Sequence, residues 1–298
     1  MERLFHFMCL VLVVISASAL ADTMSLQVEI GGVRIDVQAP KGFHEISSLS
    51  PETRKLAETM TPPNNRLLAV FVSEEDLGRI MKGDPPMLER YMFLQTFRGL
   101  ENSNVSNAKF QKIVSQVKEQ QSMLLSKLKK DVATLVEGAA EKMSKEYELS
   151  LKIKMREQVP LGVFYEKHNA VGFSSLGKYQ VETEGEKLDH VVASGTSFIL
   201  TRSKILYAYV YGAYKGQSDL DWVRSKSKEW ANSLLSLNKT SKALSGHSYG
   251  STSAPGIDWE RVIDKAIVGA FAGGLIALFI GGFQGVKRLF KKREDDAE

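Results

Sequence analysis

The sequence predicts an α+β fold of antiparallel hairpins and helices, with one long helix and a C-terminal single transmembrane helix. Three observations predict it. Apolar and polar residues alternate with period two from Leu26 to Val37 and in several runs from Leu151 to Tyr214, as half-buried strands require. From Asn107 to about Leu149 the apolar residues Phe110, Val114, Val117, Leu124, Leu128, Leu135 and Ala139 recur at three- and four-residue steps, with no proline between them. Ala266 to Val286 contains no charged residue, and about 21 residues rising ~1.5 Å each span the roughly 30 Å of a bilayer's hydrocarbon.

The elements follow in chain order. Residues 1–21 read as a signal peptide: Arg3, an apolar run from Leu4 to Ile15, then small residues ending in Ala19-Leu20-Ala21, an A-x-A cleavage pattern. A body of residues 22–237 is then exported. Leu26, Val28 and Ile30, then Val33, Ile35 and Val37 after Gly31-Gly32, predict a hairpin with a two-glycine turn. Ser50-Pro51 opens a short helix that Pro62-Pro63 breaks. Arg66 to Val72 is an apolar run of strand length, buried on both faces, and Ser73 with Asp76 caps a second short helix. Leu88 to Phe97 is read as a strand. The long helix, about 107–149, either projects as an arm or folds back on the domain. Strands are predicted around Leu151–Met155, Leu161–Glu166, Phe173–Val181, Leu188–Leu200 and Lys204–Tyr214, the last two joined by a tight turn at Thr201 to Lys204. A helix capped by Ser218 or Asp219 runs to Leu237 and buries Val223, Trp230, Leu234 and Leu237. Residues 238–258, rich in Ser, Gly, Thr and Lys, read as a flexible linker. The span occupies residues 262–286, and residues 287–298 form a cytoplasmic tail.

Charge and composition narrow the function classes. Of 298 residues, 43% are hydrophobic and 25% charged, with a net charge of +4, so no basic stripe points to nucleic acid and none is expected as a partner. The Lys287, Arg288, Lys291, Lys292 and Arg293 cluster abuts the span on its predicted inner side. Together with the signal peptide this predicts a bacterial inner-membrane protein with its body in the periplasm. The only cysteine, Cys9, lies in the signal peptide, which excludes disulfides, a cysteine nucleophile and Cys-ligated zinc from the mature chain.

The opening hairpin VEIGGVRIDVQAPKGF, the strand RLLAVFV and the closing hairpin and helix SFILTRSKILYAYVYGAYKGQSDLDWVRSKSKEWANSLL resemble, in order and patterning, the PsbP/Mog1-like α/β sandwich family, which includes bacterial periplasmic relatives of unknown role. The resemblance covers most of residues 25–237, and the long helix departs from a minimal version of that fold. It implies an antiparallel sheet flanked by helices on both faces, an α/β/α sandwich, and a role in binding or assembly more than in catalysis.

Candidate chemistry is sparse. Gly246-His247-Ser248-Tyr249-Gly250 matches G-x-S-x-G, but a nucleophile elbow needs a strand before it and a helix after it, and this stretch sits in the linker. His44, His168 and His190 are scattered without metal-ligand spacing, and neither a metal nor a cofactor is expected. Tyr207, Tyr209 and Tyr211 share one strand face, either as an aromatic binding face or as core under a helix. In the span, Gly269, Gly273, Ala277, Gly281 and Gly285 recur every four residues, a ridge of small side chains that lets two helices approach closely. The expectation is a membrane-anchored, non-enzymatic binding or assembly protein that associates, with itself or another protein, through its transmembrane helix. The alternative is a periplasmic enzyme or small-ligand binder whose pocket the sequence does not display.

Overall fold

The computed structural model describes residues 25–239, apart from 50, 85, 147–149 and 184–185. Nine strands and four α-helices follow one another in it. The hairpin β1 (Leu26–Ile30) and β2 (Val33–Val37) forms a small sheet of its own, turning at Gly31 and Gly32 with φ of 52° and 78°. Both values lie where a side chain is strained, which is why glycine occupies this two-residue turn.

The main sheet has seven strands, every pair antiparallel, in the order β3-β4-β5-β9-β8-β7-β6. They are β3 (Phe43–Glu45), β4 (Asn65–Ser73), β5 (Arg90–Phe97), β6 (Leu151–Lys167), β7 (Ala170–Thr183), β8 (Glu186–Thr201) and β9 (Lys204–Ala213). The two runs predicted at Leu151 and Leu161 are one strand, β6. It continues through Pro160 with three register shifts because it is an edge strand, where a missing N–H breaks no inner ladder. The opposite edge, β3, is three residues long, so both edges offer poor templates for a further strand.

Helices cover both faces. On one lie α1 (Pro51–Met60), α2 (Glu74–Met81) and α3 (Asn107–Glu146); on the other lie α4 (Gln217–Leu237) and the β1–β2 hairpin. Ser73 caps α2 by accepting from the Asp76 N–H at 3.1 Å, as the spacing predicts. Asp76 in turn accepts from the N–H groups of Met87 and Leu88, holding the loop that enters β5. The α4 stripe of Val223, Trp230 and Leu234 is buried, whereas Leu237, predicted to complete it, is 37% exposed because the helix ends there beyond the sheet. Trp230 packs edge-on against Phe71 at 5.2 Å and donates to Gln38 O at 3.1 Å. A Cβ at Gly195 would collide with Ser227 Oγ, so this glycine lets α4 sit close on β8. Asn238 closes the body by bonding to both Asp36 N–H and Asp36 O across the hairpin.

The long helix does not project. Gln111 Nε2 donates to His168 O, Lys118 pairs with Glu166 at 2.9 Å, and Ser144 Oγ donates to Leu151 O at 2.8 Å. As the chain ascends α3 its partners on β6 descend, so the helix lies antiparallel along the edge strand. Phe110, Ile113 and Val114 bury one end, and Val132, Val136, Ala139 and Ala140 the other. Of the two alternatives left open by the sequence, the helix takes the one that packs on the domain: β6 is 17 residues long, and a strand of that length gives a 40-residue helix a surface to lie on. Among the described residues no helix is long and apolar enough to cross a membrane. The predicted signal peptide, linker, span and tail, with Gly269, Gly273, Ala277, Gly281 and Gly285 and the GHSYG stretch, lie outside the described residues.

Candidate functional site

A cleft of ≈ 670 Å³ opens where α1, the start of β4 and the last turns of α3 meet. Its position follows from local sequence. Pro62 and Pro63 stop α1, the Asn65 N–H bonds back to Pro62 O at 2.8 Å, and β4 begins at once, so the helix end and strand start stand apart. Lys142 and Lys145, one turn apart on α3, close the third side.

The cleft is basic. Arg54, Arg66, Arg98, Lys142 and Lys145 line it, with Glu58 as the acidic side chain among the lining residues. Arg54 pairs with Glu58 at 2.8 Å, Arg66 with Glu101 at 2.9 Å, and Lys145 with Glu141 at 2.8 Å. Arg66 also donates to Glu29 O and Arg98 to Asn65 O, so these two side chains tie the cleft wall together while facing it. Lys145 lies at the end of its helix, where the backbone carbonyls favour a cation, and its contact with Glu141 raises its pKa.

Asn65 forms the floor. Only 1% of it is exposed, yet it lines the cleft. Its Nδ2 donates to Gln95 Oε1 at 2.9 Å, which leaves Asn65 Oδ1 and Gln95 Nε2 buried without a hydrogen-bond partner. A buried polar atom left unpaired costs about 1–3 kcal/mol, and the Tyr209 hydroxyl, which stands beside the Asn65 amide, is one group of this chain able to offset that cost.

Tyr207, Tyr209 and Tyr211 lie behind that floor, in the layer between the sheet and the helices α1 and α3, at most 1% exposed. Of the two readings of these positions the structure has the second and not an open aromatic face: helices cover the strand, and the rings are core. Tyr209 stacks on Tyr211 at 6.1 Å and Tyr211 on Tyr91 at 4.9 Å. The hydroxyl of Tyr211 has no hydrogen-bond partner, and that of Tyr209 has only the Asn65 amide beside it. Burial raises the pKa of both well above the usual phenol value, and neighbouring phenols add to the shift; Asn65 partly offsets it at Tyr209. Tyr179 is pushed up to about 12 by burial alone.

The histidines do not converge. His44 is exposed on β3 at one edge of the sheet, and His168 is exposed in the β6–β7 turn at the other. His190 lies on β8 with Nε2 buried and unpaired; burial lowers its pKa, and Asp189 opposes the shift. Among the described residues no group of three or more His, Asp or Glu side chains is placed to hold a metal ion.

None of the cleft cations stands out in the sequence. They come from a helix, a strand, a 3-10 turn (Arg98–Leu100) and a second helix, and no spacing joins them. Asn65 reads in the sequence only as part of the Pro-Pro-Asn-Asn break.

Neither a family model nor a curated protein matches the chain. Among solved structures, the Ran-binding protein Mog1p of Saccharomyces cerevisiae is 11% identical, with 73% of this chain and 93% of that one covered, at a TM-score of 0.27. A Mog1 mutant is 13% identical over 72% and 92%, at 0.25. At such values the likeness carries no argument about this chain.

Proposed function

We propose that this chain is a membrane-anchored, exported binding protein of the bacterial envelope, without catalytic activity, whose body presents the basic cleft and whose transmembrane helix associates with another helix. The cleft carries the reading. Its ionisable side chains are three guanidiniums, two ammoniums and one carboxylate held by Arg54. Guanidinium does not give up its proton in proteins, so such a set holds a negative ligand and is poorly suited to moving protons. The separation of His44, His168 and His190 favours binding over the enzymatic alternative in the same way. The anchor rests on the uncharged run 266–286 and its basic flank, and the association on the small-residue ridge.

Topology is tested with single cysteines placed at Ser251 and Ala297 in a Cys9→Ser background. A membrane-impermeant thiol reagent applied to spheroplasts is expected to label the first and spare the second. Equal labelling of both, or release of the protein by alkaline carbonate, sinks the anchored reading.

A further inference from the structure

We infer that the cleft between α1, β4 and the end of α3 binds a phosphate ester that also carries hydroxyl groups, the phosphate among the rim cations and a hydroxyl on Asn65. The inference rests on the binding reading above and adds the ligand's chemistry.

The rim argues for phosphate. Arg54, Arg66 and Arg98 each carry five N–H donors, and the protein uses few of them: Arg54 Nε to Glu58, Arg66 Nε to Glu101 and Nη2 to Glu29 O, and Arg98 Nε to Asn65 O. Lys142 has no ion pair among the described residues. Placement at the end of α3 accounts for Lys142 and Lys145 as ordinary helix-terminal cations. It does not account for the three arginines, which three other elements bring to the same opening. A phosphate dianion, with three terminal oxygens, fits several forked donors and two ammoniums better than a single carboxylate does.

The floor argues for a hydroxyl. Asn65 is 1% exposed and lines the cleft; its amide bonds Gln95 Oε1 and stands beside the Tyr209 hydroxyl, and no close hydrogen bond satisfies Asn65 Oδ1 or Gln95 Nε2. The two amides can exchange roles by a joint flip, which moves the unpaired atoms from acceptor to donor at Asn65. A hydroxyl suits both arrangements because it donates and accepts. The volume of ≈ 670 Å³ holds a small polar molecule with both groups. The same chemistry occurs in soluble phosphate monoesters and in phospholipid headgroups that carry a terminal phosphomonoester beside free hydroxyls.

Calorimetry on the full chain in detergent tests this with glycerol 3-phosphate, inorganic phosphate and glycerol as probes. Saturable binding of glycerol 3-phosphate is expected, with inorganic phosphate about ten-fold weaker and glycerol silent. The double variant Arg54→Glu, Lys142→Glu should weaken both phosphates by at least about ten-fold. Asn65→Ala should bring glycerol 3-phosphate down to the level of inorganic phosphate and leave the latter unchanged. Thermal melts establish that each variant is folded, and the exposed-residue double variant stands alone if Asn65→Ala is not. No binding of glycerol 3-phosphate, binding unaffected by the double variant, or equal loss of both phosphates in folded Asn65→Ala overturns the inference. Repeating the titration in phosphatidylcholine bilayers with and without phosphatidylinositol 4-phosphate, which carries a phosphomonoester and ring hydroxyls, assigns the source: competition by that lipid supports a headgroup, and its lack supports a soluble ester. Failure here leaves the topology labelling untouched, so the anchored reading stands or falls separately.

Discussion

Asn65 shows how much one residue's environment can differ from its sequence context. It begins as the last residue of a Pro-Pro-Asn-Asn break and ends as a buried amide with one satisfied and one unsatisfied end. His190 is a second case. Burial disfavours its charged form, so its folded pKa lies below 6.5. Between that value and 6.5 the unfolded chain binds more protons than the folded one, and stability therefore falls as pH drops through that window. Replacing His190 with Gln should flatten the acid side of the stability curve, read as thermal midpoint against pH from 7 to 5; an unchanged slope would assign the acid loss to other groups. The buried phenols act at the other end. Tyr179, Tyr209 and Tyr211 stay neutral when folded, whereas unfolded phenols ionise near 10, so their contribution is complete below pH 10 and is lost as pH rises above it. Tyr211→Phe should shift the alkaline midpoint upward. It also removes an unpaired buried hydroxyl, so its stability at pH 7 should not fall.

At the scale of elements, α3 is the informative one. Its periodicity states that it is a helix and its length states that it is unusual, but the choice between an arm and a cover belonged to β6. Because it is pinned at both ends, Phe110→Ala should cost about 3–5 kcal/mol and speed amide exchange first near residues 107–114. Loss spread evenly over the helix would mean that it detaches as one unit. Trp230→Ala, which empties the contact of α4 with Phe71 and leaves Gln38 O without its donor, should cost a similar ~3–5 kcal/mol by chemical denaturation. For the transmembrane ridge, Gly273→Leu with Gly281→Leu should abolish association of the span in a membrane two-hybrid or crosslinking assay. Association that persists would move the contact to another face. Elements were readable wherever a local pattern governs them. The two-glycine turn, the Ser73 cap and the apolar β4 each bury or expose residues in a rhythm that neighbours in sequence determine. The prediction of two strands where β6 is one failed because the clear alternation ends at Met155 and a polar stretch follows, and the edge position lets the strand run on through its register shifts and Pro160.

For the whole molecule, antiparallel hairpins were legible in the period-two runs, while helices on both faces were what the family resemblance implied, and the structure has that layering. Asn238-Lys239-Thr240 shows the limit of motif reading. As a glycosylation sequon it needs an open amide, but Asn238 Nδ2 donates to Asp36 O and Leu234 O, across a separation of some 200 residues in the first case. The amino-acid sequence by itself determined the helices, most of the strands and the identity of the tyrosine face, because each follows from hydrophobic periodicity within a few turns or pleats; the short β3 and the continuity of β6 did not follow from it. Tertiary structure alone decided that α3 lies down along β6, that Tyr207, Tyr209 and Tyr211 are sealed, and that Arg54, Arg66, Arg98, Lys142 and Lys145 share one opening. The physical reason is distance along the chain: charge and hydrogen-bonding partners assembled from separate elements carry no local period, and they acquire meaning only when packing brings them together.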